Sequence, residues 1–208
     1  MSCYELVAFD MDGVLVDILS SWRYIHTCCG TDNRETLQAY LKGDIGSQNL
    51  TEQDVALWRQ AGKCRQDLEQ FFRQVALMPG AHACIQALHE QNITTAIVSG
   101  GLDILADRIA AETGIQHVLA NGFHGNLEGS IMRVLIEDKG KALRRLTVDL
   151  GIPLDKVVTV GNSHYDISMF AVSGLSIAFN PCDDKVVAAA DVVIKKKDLS
   201  QILDYVLA

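Results

Sequence analysis

Residues 4–9 form a short apolar run that ends at Asp10 and Gly13, the pattern of a buried strand feeding a loop. Similar runs recur at 93–98, 156–160, 176–179 and 192–194, with helical patterns such as 103–113 and 141–150 between them. Strands alternating with helices predict a Rossmann-like, mostly parallel α/β sheet. Between Asp17 and Met78 the pattern becomes helical throughout, with Val55, Trp58, Cys64, Leu68, Phe71, Phe72 and Val75 spaced roughly three or four apart. Thr51, three residues before Asp54, is a candidate cap for one of these helices. Pro79-Gly80 stops the helical stretch and returns the chain to the sheet. The expected organisation is a core domain of residues 1–16 plus 80–208, with residues 17–79 inserted as a small helical cap. Residues 123–137 alternate loosely around Gly125 and Gly129, which predicts a small antiparallel hairpin projecting from the sheet.

The 208 residues suffice for one main domain and an accessory unit, and 49% hydrophobic with 21% charged residues is an ordinary globular balance. A net charge of −8 argues against a surface that captures nucleic acid, which needs clustered Lys and Arg. Lys195-Lys196-Lys197 is the one basic run, and it reads as a solvated edge. No stretch of 18 apolar residues offers a membrane span, and no export signal opens the chain. The six cysteines show no C-x-x-C pair and no His at zinc-finger spacing, so a cytoplasmic location with reduced thiols is expected.

Four strings can carry chemistry. Asp10 and Asp12 sit two apart at a strand end, and two such carboxylates repel unless a cation or shared proton intervenes. The pair is therefore a metal or acid/base site, or else a turn in which Asp12-Gly13 merely ends the strand. Ser99-Gly100-Gly101 follows a strand and precedes a helix, so its amides and hydroxyl can hold a phosphate, the alternative being a plain strand-to-helix turn. Lys139 opens a helix, where the dipole disfavours a cation, so either an anion or carboxylate lies nearby or the lysine is solvated. Asn162 and Asp166, with Gly161 before them, close another strand and can aim oxygens above the sheet; His164 between them is a possible base or a rim histidine. All four strings fall at strand carboxyl ends or helix starts, which share one crevice in an open α/β sheet.

These strings, in this order, resemble the haloacid dehalogenase superfamily over essentially the whole chain: Asp10-x-Asp12-Gly13-Val14, Ser99, Lys139, and Gly161-Asn162-x-x-x-Asp166. Val98 to Gly101, Asp138 to Gly140 and Asp166 to Phe170 resemble its phosphoserine phosphatase branch. The resemblance implies a small phosphorylated metabolite as substrate and Mg²⁺ as cofactor. Asp10 would attack phosphorus to form an aspartyl phosphate, and Asp12 would act as acid and then base. Ser99, Gly100 and Lys139 would hold the phosphoryl oxygens, while Asp10, the Asp12 carbonyl and an oxygen of Asn162 or Asp166 would hold the metal. Arg59 in the cap is a candidate for a substrate carboxylate, with a solvated cap arginine as the alternative. Asn162 stands where that branch usually carries an acid, which implies weaker Mg²⁺ affinity. Gly13 replaces a usual Ser, and Leu19 replaces a Glu that receives the substrate ammonium, so phosphoserine itself is not the expected substrate. A phosphotransferase using the same intermediate, and a phosphate-binding regulatory protein, are the alternatives. The oligomeric state is open, with a homodimer among the options.

Overall fold

The computed structural model describes residues 3–123, 125, 127 and 136–208, together with the backbone of 132–134. A seven-stranded sheet has the order β4-β3-β2-β1-β5-β6-β7. Its strands are β1 (Leu6–Phe9), β2 (Thr94–Leu102), β3 (His117–Phe123), β4 (Met132–Val134), β5 (Val157–Gly161), β6 (Leu175–Phe179) and β7 (Val192–Ile194). All neighbours pair in parallel except β3 and β4, which run antiparallel at the edge. The predicted hairpin thus has the end of β3 as one arm, and Gly129 lies outside the described residues. Strand β3 escaped the sequence reading because its first half is only partly buried and carries no continuous apolar run.

Strand β1 lies between β2 and β5 and is completely buried, which explains its unbroken apolar sequence. Its register pairs Phe9 with Ile97 and with Val160. Asp10 and Gly161, which directly follow these pairs, and Ser99, two residues after Ile97, therefore lie toward the same end of the sheet.

Between β1 and the next sheet strand come α1 (Ser21–Cys29), α2 (Arg34–Lys42), α3 (Ser47–Gln60), α4 (Arg65–Phe72) and α5 (Ala81–Glu90). Two expectations need correction. Thr51 does not cap a helix: α3 begins at Ser47, and the buried Thr51 hydroxyl donates to the Ser47 carbonyl at 2.9 Å. A short polar side chain inside a helix can satisfy itself on the preceding turn, and sequence alone does not separate that use from capping. Pro79-Gly80 does not lead directly back to the sheet either, because α5 intervenes. The remaining elements include α6 (Asp103–Thr113), α7 (Lys139–Leu150), α8 (Ile167–Phe170), α9 (Asp184–Ala189) and α10 (Leu203–Val206).

One apolar cluster runs from the sheet (Val7, Phe9, Ile97) into the inserted helices (Ile25, Val55, Trp58, Leu68, Phe72). Trp58 is its centre of contact, 5.6 Å from the Trp22 ring and 6.4 Å from Phe123. The Trp58 indole N–H donates to His26 Nδ1 at 3.3 Å, and His26 Nε2 lies 3.2 Å from Asp54 Oδ1. Burying these rings on both sides of the junction couples the insert to the sheet. Trp58→Ala is expected to cost roughly 3–5 kcal/mol, a fall of about 10 °C in Tm for a chain of this size. Calorimetry checks this, and both wild type and variant should unfold in one transition.

Candidate active site

Asp10 continues β1, and its N–H donates to the Val160 carbonyl at 2.8 Å, which fixes the backbone where the strand ends. Asp10 as a whole is 5% exposed. Its Oδ1 accepts from the Met11 N–H at 2.7 Å and lies 2.7 Å from Lys139 Nζ. The same ammonium reaches Asp166 Oδ1 at 2.5 Å. Lys139 is thus the buried hub joining Asp10, 129 residues before it, to Asp166, 27 residues after it. Its place in the first turn of α7, awkward for a cation, is explained by two carboxylates rather than by solvent. Burial opposes the Lys139 charge, but Asp10 and Asp166 outweigh it and hold the ammonium above the ordinary lysine range.

Asp166 is fully buried and shapes the loop after β5. Its Oδ2 accepts from the N–H groups of Asn162 and Ser163 at 2.8 and 3.0 Å and from Ser163 Oγ at 3.2 Å. With Oδ1 on Lys139 and Oδ2 on three donors, both oxygens are committed. Asn162 is presented differently. A β-carbon on Gly13 would lie 2.0 Å from Asn162 Nδ2, so the amide packs against the turn that follows Asp12. Gly13 has φ +79°, which together with this contact reserves the position for glycine. His164 is exposed, with its Nδ1 3.3 Å from Asp183 Oδ2, and stands at the rim.

Asp12 is half-buried. Its Oδ2 accepts from the N–H and Oγ of Ser21, at 2.8 and 2.9 Å, while its Oδ1 is buried without a hydrogen-bond partner among the described residues. Burial raises the Asp12 pKa against the pull of those bonds and of Lys139. On β2, Ser99 is buried and its Oγ accepts from the Gly101 N–H at 3.1 Å. The Gly100 carbonyl accepts from the Trp22 indole at 3.0 Å and from Asn121 Nδ2 at 2.8 Å, which sets the orientation of the following peptide. Ser21, Trp22 and Asn121 were not singled out from the sequence. None belongs to a motif, and only the Ser20-Ser21 pair before a helical pattern carried a signal, that of a helix start. Arg59 lies exposed in the last turn of α3.

A profile of haloacid dehalogenase-like hydrolases matches residues 7–171. Phosphoserine phosphatase of Methanocaldococcus jannaschii is 33% identical over 97% of this chain and 97% of its own length. That of Idiomarina loihiensis is 32% identical over 95% of this chain and 91% of its own. Among solved structures, a phospho-aspartyl intermediate analogue of phosphoserine phosphatase superposes with a TM-score of 0.78 at 27% identity, covering 98% of this chain and 99% of that one. A substrate-bound phosphoserine phosphatase complex gives 0.79 at the same identity, covering 98% of each chain. The chain belongs to the haloacid dehalogenase-like hydrolase family.

Burial first, then Asp166 and more weakly Asp12, raises the Asp10 pKa from 3.8 to about 7 in the metal-free protein, against the opposing charge of Lys139. Folded Asp10 thus binds a proton between those values where the unfolded chain does not, so this group's contribution to stability declines as pH rises from about 4 through about 7. In a divalent-free buffer, the urea midpoint of wild type should fall between pH 5 and pH 8 relative to that of Asp10→Asn. Parallel pH curves would contradict the assignment.

Proposed function

We propose that the chain is a Mg²⁺-dependent phosphatase that hydrolyses a small phosphomonoester through an aspartyl phosphate on Asp10. The observation that carries this is the meeting of Asp10 with a buried lysine at one strand end, beside a second aspartate whose Oδ1 has no partner among the described residues. The donors gathered on Asp10 Oδ1 leave Oδ2 for attack on phosphorus. As that bond forms, the ester oxygen departs with the proton of Asp12; in the second displacement Asp12 takes a proton from the attacking water, and phosphate is released. Ser99 Oγ, the Gly100 N–H and Lys139 hold the phosphoryl oxygens as their charge develops.

The residues fit a hard divalent cation: Asp10 and Asp166 place two carboxylates on one buried ammonium with Asp12 close to Asp10, and the donors are all oxygens. Mg²⁺ is typically bound through one or two carboxylates and keeps several waters. Asp10 and the Asp12 carbonyl would hold it. The third oxygen is assigned to Asn162, because Asp166 is committed to Lys139 and its own loop whereas the Asn162 amide packs on the Asp12-Gly13 turn. When bound, the ion offsets charge between the phosphate and Asp10.

The helices of residues 17–79 act as the cap that sets specificity and excludes water. Leu19, 81% exposed just before α1, supplies no charge for a substrate ammonium, so the substrate is a phosphorylated metabolite that does not depend on one there. The cysteines form no disulfides, which favours a cytoplasmic location. Among the described residues no helix is long and apolar enough to cross a membrane.

Asp10→Asn should reduce phosphate release from phosphorylated metabolites to background with the circular dichroism spectrum unchanged; turnover at the wild-type rate would refute the nucleophile. Asn162→Asp restores one negative charge to the metal site. It should lower the half-saturating Mg²⁺ concentration about tenfold, equivalent to about 1.4 kcal/mol, measured by calorimetric titration as well as by activity.

A further inference from the structure

Ser21 has no part in the steps above, yet it is completely buried against the aspartate that handles the proton. It is the first residue of α1, directly after the Ser20 cap, so its N–H belongs to the free donors of a helix start. Both that N–H and the hydroxyl are spent on Asp12 Oδ2, at 2.8 and 2.9 Å. The hydroxyl is itself held, because its oxygen accepts from the Leu102 N–H at 3.2 Å. Strand β2 can come this close because residue 101 has no side chain: a β-carbon there would lie 2.7 Å from Ser21 Oγ and 3.0 Å from Asp12 Oδ2.

We propose that Ser21 is a positioning residue that clamps one Asp12 oxygen as a pure acceptor and so directs the acidic proton onto the other, Oδ1, which faces no competing partner among the described residues. The inference rests on the phosphatase reading. In the first displacement the bond between phosphorus and the ester oxygen breaks, the bond to Asp10 forms, and the Oδ1 proton moves to the departing oxygen, leaving Asp12 as a carboxylate. A carboxyl group free to rotate would present that proton only part of the time.

Loss of the clamp should therefore matter in proportion to how much the leaving group needs a proton. Ser21→Ala removes the hydroxyl donor. Ser21→Pro removes both donors and suits the site, since proline is favoured at the first helical position and Ser20 is already extended at φ −165°, ψ 128°. With Mg²⁺ present, kcat/KM is measured for an alkyl phosphomonoester and for p-nitrophenyl phosphate, whose leaving group departs as a stable anion. Ser21→Ala is expected to lower the alkyl rate about tenfold or more, Ser21→Pro further, and p-nitrophenyl phosphate less than about threefold in both, a part of the range general acid catalysis spans. Ser20→Ala, which loses only the cap bond to the Arg23 N–H, should lower Tm and affect both substrates equally.

Equal losses on the two substrates in the Ser21 variants would reduce Ser21 to a structural residue, and no loss on either would show that Asp12 needs no clamp. If Ser21→Pro fails to fold, the ratio for Ser21→Ala decides alone. Wild-type protein inert toward both substrates would overturn the phosphatase reading together with this one, whereas active wild type with an unchanged leaving-group ratio overturns only the role of Ser21.

Discussion

The buried ammonium of Lys139 is the constraint around which the site is organised. It stands between Asp10 and Asp166, both nearly or fully withdrawn from water, and pairs with both. The arrangement still leaves the carboxylates in excess, and the raised Asp10 pKa expresses that excess. A protein built for stability alone would replace such a cluster with apolar packing. Keeping it makes sense where a cation and a phosphoryl group, one of each sign, complete the balance during turnover.

Two layers of support hold this centre. The sheet register delivers Asp10, Ser99 and Gly161 to one edge, and the loop after β5 is tied by Asp166 to its own backbone. The first turn of α1 adds a second kind of support from outside the sheet, with adjacent residues holding different parts of the site: Ser21 grips Asp12, and Trp22 grips the Gly100 carbonyl. The helices between β1 and β2 thereby touch Asp12 and Gly100 through two neighbouring side chains. Ser47 Oγ, bonded to Glu137, ties α3 to the approach to Lys139 as well.

Much of this was legible in the sequence, for identifiable reasons. Strands β1 and β5 announced themselves because burial on both faces demands unbroken apolar runs, and the motifs were legible because backbone geometry ties each to a strand end or a helix start. The half-buried β3 gave no such run, and α5 was hidden behind Pro79-Gly80, which also starts a helix as readily as it stops one. Long-range contacts were the part out of reach. Nothing local to Ser21 or Asn121 tells that they meet Asp12 and Gly100, because such pairings exist only once the sheet has closed. The proposed preference for Asn162 over Asp166 likewise rests on hydrogen bonds of Asp166 that no local pattern foretells.

The chain contains only two tryptophans, and the structure puts both in one place. Trp22 and Trp58 have ring centroids 5.6 Å apart, and the first is bonded to the backbone of the glycine loop. All indole emission from this protein therefore originates beside the Gly100 backbone, so its ultraviolet fluorescence is a built-in optical probe of that junction, without any attached label.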